Sequence, residues 1–364
     1  MSNSINTNRN AGLELLRIVS MFAIIVLHVL GNGGVIAETT PLTIGYEAAW
    51  LLVIVCYFGV SAYALLSGYV GVNGNYHPSN IVYLWLQVLF YNSIATTLFF
   101  VLKPETRQLK WIIKAILPIS TEAYWYFSAF ALTFIFIPVL KAAFDKLTKA
   151  YLTFMLCGLV FLLSVMPVLP IVLTTDVFNL KYGASFIWVF ACWFIGAYLK
   201  KFEVLAKFKT STLWLLYFLG VVVAFGSKGV IEVYYGAEVW NRDRGNPLVY
   251  YHAPTILLCA VAMVLIFERI RLGNKVAKVV RIVAPLSFGV YLCNCQPMVW
   301  YYLMPGRFSH YASYPVWKMV ICTLLSASWI FLSGIAIDEI RNLIFSLGHL
   351  KEKLYIIEKQ LMKE

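Results

Sequence analysis

Glu14, Arg17 and His28 stand inside one apolar stretch, AGLELLRIVSMFAIIVLHVLGN, residues 11–32. Ionisable side chains are costly in a bilayer, and where they occur they face the protein interior or a wet cavity. Glu14 and Arg17 are three residues apart, which is pairing distance on a helix. Arg17 and His28 are eleven apart, close to three full turns. They therefore share a face, about 16 Å from each other along the axis. A guanidinium suits phosphate through its forked donors. An imidazole suits general-base work near neutral pH when it reaches a hydroxyl. A simpler alternative makes Arg17 a snorkelling end charge and His28 a marker of the other interface. Three polar residues on one stripe favour a path through the membrane with chemistry at its far end.

The elements that must carry these groups follow from composition. The chain has 364 residues, 61% of them hydrophobic and 13% charged, with mean hydropathy +0.78. A soluble globular chain is nearer 45–50% apolar and about 25% charged. The expected fold class is an all-α polytopic integral membrane protein, because the apolar runs are too long and continuous for barrel strands. Ten spans are read at about 12–31, 46–69, 80–102, 122–140, 151–172, 183–200, 212–230, 249–268, 282–304 and 315–337. The short apolar segment Trp111–Ile119 reads as interfacial. Residues 1–10 read as a polar tail, 11–340 as one membrane domain, and 341–364 as an amphipathic tail with Leu347, Leu350, Leu354, Ile357 and Leu361 on one side.

The net charge of +12 comes from basic residues in loops between spans, not from a nucleic-acid-binding motif. With both termini in the cytoplasm, 19 of the 29 Lys and Arg residues fall inside, which sets the expected orientation. The outer loop 103–114 runs against this bias. Its Lys103, Arg107, Lys110 and Lys114 stand out as candidates for a function. The seven cysteines lie in apolar stretches and form no zinc-type pair. Phosphate-loop, zinc-protease and nucleophile-elbow motifs are missing from the sequence, so ATP-driven transport, zinc proteolysis and serine hydrolysis lose support. No metal site is expected.

Several motifs resemble the membrane-bound acyltransferase family 3, of the bacterial O-acetyltransferase type. Its first helix opens with an acidic residue, an Arg three on, and a His eleven after that, as Glu14, Arg17 and His28 do here, with Glu where Asp is commoner. Leu66-Ser67-Gly68-Tyr69 is similar to the end of the family's second helix, although Tyr63-Ala64 replaces paired Phe residues. Tyr124-Trp125-Tyr126-Phe127 resembles its Trp-Phe motif, and Trp193-Phe194-Ile195-Gly196 its Gly-closed sixth span. Ser287 to Asn294 resembles its Ser-x-Gly-x-Tyr-Leu-x-His run, with Asn294 in place of the final His. An amide cannot titrate there but can orient a ligand.

The resemblance implies an acyltransferase that moves an acyl group, expected to be acetyl, from cytoplasmic acyl-CoA to a hydroxyl of a cell-envelope polysaccharide or lipid-linked glycan. Acetyl-CoA would be a substrate, with no bound cofactor and no nucleic-acid partner. His28 is the expected base, with Glu14 beside it in the catalytic set, and Arg17 the donor-binding residue. Ser67, Trp125, Tyr126, Tyr291 and Asn294 are the expected pocket residues. The expected location is the bacterial plasma membrane. Lys228 to His252 reads as a polar outer loop whose Glu232, Glu238, Arg242, Asp243, Arg244 and aromatics could suit a sugar, with His252 near the acceptor mouth. The alternative reading is a transporter or flippase of a lipid-linked sugar or small polar solute, which intramembrane charges also fit.

Overall fold

A computed structural model of the chain describes residues 9–169, 176, 178–237 and 247–362. Glu238, Trp240, Arg242, Asp243 and Arg244 lie outside the described residues. Among those described, secondary structure is helical, with no strand. Eight helical segments are long and apolar enough to cross a membrane. The other two expected spans form helices of 17 and 16 residues, Phe186–Phe202 and Pro254–Arg269.

The first helix, α1 (Ala11–Leu30), is the hub. Asn10 caps it by accepting from the Gly12 and Leu13 amides at 2.9 and 3.3 Å, and Glu14 sits favourably in its first turn. Leu16, Ile25, Val26 and Leu30 are fully buried, so neighbouring helices surround α1 rather than lipid. A one-turn α2 (Val35–Glu38) follows, then α3 (Ile44–Cys56) and α4 (Phe58–Gly71), which meet at Tyr57. Next come α5 (Ser79–Leu102), the short amphipathic α6 (Leu109–Ile116) and α7 (Trp125–Lys146). The chain continues through α8 (Lys149–Val160), α9 (Phe186–Phe202), α10 (Thr210–Tyr235) and α11 (Pro254–Arg269). α1 packs on α3, α4 and α11 and on the C-terminal helices described next.

The expected span 282–304 is broken. It is built from α12 (Asn274–Val283), a 3-10 turn at Ala284–Leu286, α13 (Ser287–Asn294) and α14 (Pro297–Tyr302). Pro285 and Pro297 lack the amide hydrogen an uninterrupted helix needs. At the second break the Gln296 side chain accepts from the Met298 and Val299 amides at 2.8 and 3.0 Å, replacing the lost backbone bonds. The final long helix, α15, runs Val316–Leu347, ten residues beyond the expected end of its span, and takes up Leu347. Within it Asp338 and Arg341 form a buried two-point ion pair at 2.9 and 2.7 Å, and the Tyr91 hydroxyl donates to Asp338 at 2.6 Å. That partnering makes a charge tolerable at this depth.

α16 (Leu350–Leu361) docks on the start of α5. Glu358 accepts from the Ser79 amide at 3.0 Å and from His77 at 2.9 Å. Hydrogen bonding by Ser79, and then by His77, holds the Glu358 carboxyl below the usual carboxylate range.

The expected outer loop from Lys228 begins instead as helix, since α10 extends to Tyr235. Lys228 is fully buried and donates to Glu47 at 2.8 and 2.9 Å and to Glu232. The Tyr46 hydroxyl donates to Glu232 at 2.7 Å. These charges tie α3 to α10 and are not spread along a solvated loop.

Candidate active site

At one end of α1 the Arg17 guanidinium meets the Glu14 carboxylate at 3.4 Å, and Arg9 reaches the same carboxylate at 4.0 Å. Glu14 is buried while Arg17 keeps about a quarter of its side chain exposed, so the pair presents a guanidinium and not a carboxylate. Glu14 is fourteen residues before His28, about 21 Å along the helix. Its charged partners are Arg17 and Arg9, so it has no direct contact with His28.

At the other end the break between α13 and α14 sets Asn294 opposite His28. The His28 ring bonds to the Asn294 side-chain oxygen through Nδ1. A carboxamide oxygen can only accept, so Nδ1 carries the hydrogen and Nε2 keeps its lone pair. The Asn294 amide nitrogen points to the Met304 sulfur at 3.8 Å, which fixes which way round the amide sits. Trp300 stands edge-to-face on the imidazole at 4.9 Å, and Cys295 Sγ lies 4.0 Å from Nδ1. Asn294 therefore fixes the imidazole tautomer and leaves the Nε2 lone pair available.

Between the two ends, Arg17, Met21, Ile24 and His28 fall at helical spacing on one stripe. A narrow cavity lies along it, walled by Met21, Ile24 and His28 on α1, and by Tyr63, Trp125, Tyr126, Tyr251 and Tyr291 from elsewhere. Its free space is about 30 Å³, enough for a water molecule or two, so a reactant would enter by moving side chains. The Tyr63 and Tyr126 hydroxyls lie within electrostatic reach of Arg17, and Tyr63 stands 3.4 Å from the Ser287 hydroxyl. The Tyr126 hydroxyl has no hydrogen-bond partner among the described residues, as a group that waits for a bound molecule would not.

Of the expected pocket residues, Trp125, Tyr126 and Tyr291 line this cavity and Asn294 binds His28. Ser67 does not line it: its hydroxyl donates to the Ala64 carbonyl at 2.6 Å, one turn back on the same helix. His252 is buried against Trp188 and Tyr250 and is not part of the cavity wall. Trp300 was not singled out from the sequence; Tyr251 falls among the aromatics of the expected Lys228–His252 loop and Phe288 within the Ser287–Asn294 run, and both line the cavity. Met21 and Ile24 could have been singled out, from the stripe that links Arg17 to His28.

The acyltransferase family 3 model, described as an acyltransferase domain, matches residues 10–335, nearly the whole chain. The chain belongs to acyltransferase family 3. Searches among curated proteins and solved structures returned no match. Membership together with the eight apolar segments makes the chain a multi-pass membrane acyltransferase, and favours group transfer over solute movement. The matched region contains both ends of α1, the cavity between them and the Asn294 contact.

A prediction arises from that contact. Asn294→Leu removes the acceptor for Nδ1–H and frees the ring to turn and change tautomer. Loss of a partner that orients a functional imidazole costs about 10–100-fold in metal sites, and a similar fall in kcat is expected here, with little change in KM for the donor. Asn294→Asp keeps an acceptor at the same place and should retain far more activity. Equal loss in both variants would assign Asn294 a packing role only.

Proposed function

We propose that this family 3 acyltransferase moves an acyl group, most simply acetyl, from cytoplasmic acyl-CoA to a hydroxyl of a cell-envelope polysaccharide or lipid-linked glycan, in the bacterial plasma membrane. The observation that carries the reading is the His28–Asn294 bond, which leaves the Nε2 lone pair free on a ring that lines the cavity, while a partly exposed Arg17 lies on the same stripe of α1, one turn before the cavity-lining Met21.

The donor's phosphates bind Arg17, which Glu14 holds in place. The thin arm of the donor follows Met21 and Ile24 and brings its thioester to His28. Nε2 takes the proton of the acceptor hydroxyl as its oxygen attacks the thioester carbonyl. The carbon–sulfur bond then breaks, and the departing thiolate takes a proton to leave as free CoA. The products are an ester and CoA, with the imidazole neutral again. The aromatic walls keep bulk water from competing with the acceptor.

Arg17→Ala is expected to raise the KM for acetyl-CoA by about tenfold or more, the worth of a charge-assisted phosphate contact, and to lower kcat. Initial rates of CoA release over a donor concentration series check it. An unchanged donor KM would take the phosphate contact away from Arg17.

A further inference from the structure

Beyond His28 the chain builds a second concave feature at the same end of α1. Asn32 donates to the Trp300 carbonyl at 3.0 Å, the Gly306 amide donates to the Asn32 carbonyl at 3.1 Å, and the Phe308 amide donates to the Gly33 carbonyl at 2.8 Å. These bonds pin residues 300–308 to the segment that leaves α1, four and five residues beyond His28. The segment encloses an open groove of about 490 Å³, walled by Tyr302, Phe308, Tyr311, Arg307 and His310. That volume falls in the range of ligand sites. Trp300, two residues before Tyr302, touches the His28 ring, so the groove and the imidazole share one short piece of chain.

The groove is cationic and aromatic. Arg307 is exposed and has no carboxylate partner among the described residues. Between Glu268 and Asp338 the sequence contains no acidic residue at all. α6 leans on the groove's edge: the Trp111 indole nitrogen donates to the Tyr302 hydroxyl at 3.3 Å. There Lys110 and Lys114 lie over the Trp111 ring at 5.0 and 5.6 Å, and Lys114 over Tyr301 at 5.1 Å. On the far side Lys318 lies 4.0 Å over Tyr314, which packs on Tyr311 and His310. Two of the four basic residues of the loop that departed from the charge bias, Lys110 and Lys114, are thus held at the edge of this groove. Ring faces suit the C–H faces of a sugar, and a guanidinium with free donors suits a phosphate.

We infer that this groove seats the acceptor, and that the acceptor is a carbohydrate bearing a phosphate ester or phosphodiester beside the sugar whose hydroxyl is acylated. The inference rests on the acyl-transfer reading and names its acceptor class. Arg307 binds the phosphate, Tyr302, Phe308 and Tyr311 hold the sugar, and the lysines on α6 and Lys318 add a field that draws the anion in.

The test uses the full-length protein in nanodiscs of neutral lipid. One probe is an oligosaccharide carrying glycerol phosphate, and the other is its dephosphorylated twin. Equilibrium binding without donor, and transfer with acetyl-CoA, are measured for wild type and Arg307→Gln. The wild type should prefer the phosphorylated probe. Arg307→Gln should weaken its binding and raise its KM by about tenfold, with the KM for acetyl-CoA unchanged. Equal binding of both probes, or an Arg307→Gln protein indistinguishable from wild type, overturns the inference. So does equal competition by vesicles of anionic phospholipid without sugar, which would make the groove a lipid headgroup contact. Tight, Arg307-dependent binding with no CoA release from the folded wild type would support the groove while sinking the acyl-transfer reading, so the two failures are told apart.

Discussion

His28→Ala is expected to lower acyl transfer by about 10²–10⁴-fold, the span a positioned general base contributes, while the protein still inserts and folds. The expectation rests on geometry. Nδ1–H is committed to Asn294, Trp300 stands edge-to-face on the ring, and Nε2 is the atom whose lone pair remains. The substitution also leaves the Asn294 oxygen without its donor, which costs about 1–3 kcal/mol in a buried place. His28→Gln separates the two effects, because its amide can still donate to Asn294 but cannot take a proton near neutral pH. Both variants should be equally inactive, with the Gln variant the more stable to heat in detergent. The assay is free CoA together with acylated product. Normal turnover by His28→Gln would remove the imidazole from the chemistry.

The two ends of this site were legible in the sequence for different reasons. Arg17 and His28 could be placed on one face because eleven residues close three turns, and Glu14 beside Arg17 because three residues make a neighbour. The walls were only half legible. Trp125, Tyr126 and Tyr291 came from motif resemblance and line the cavity. Ser67 came from the same source and instead bonds its own helix. A short motif marks a place in the fold without saying which of its side chains points where. Trp300 was illegible because its contact with His28 depends on the break at Cys295–Gln296, and the apolar run from Ile282 to Met304 reads as continuous. The buried Lys228 was misplaced for a similar reason. Its partners Glu47 and Glu232 lie 181 and 4 residues away, and only the fold brings all three together.

The same motifs point to a second large effect, which concerns the frame and not the chemistry. Gly68→Val is expected to destabilise the protein by about 3 kcal/mol or more, the upper part of the range for overpacking, and to deplete folded protein in detergent. At Gly68 an added Cβ would run into the Trp193 carbonyl oxygen, and at Gly196 it would run into the Leu65 carbonyl oxygen. The two clashes are reciprocal, so α4 and α9 cross backbone to backbone, as small residues permit between membrane helices. Neither helix can yield by turning a side chain, because each obstacle is main chain. α4 also carries Val60 and Tyr63 in the cavity wall, and Ser61, which donates to the Tyr251 carbonyl at 2.9 Å. Parting the helices would therefore open the cavity as well as loosen the core. Gly226→Val on α10 is the matched control, since nothing lies within 4 Å of a Cβ built there. Thermal unfolding of the three proteins decides the matter. A Gly68→Val protein as stable as Gly226→Val would mean that α4 and α9 do not meet this closely. The expected order, with Gly68→Val far below the other two, would make Ser67-Gly68 and Ile195-Gly196 a packing joint that holds Tyr63 at the cavity, with no direct part in acyl transfer.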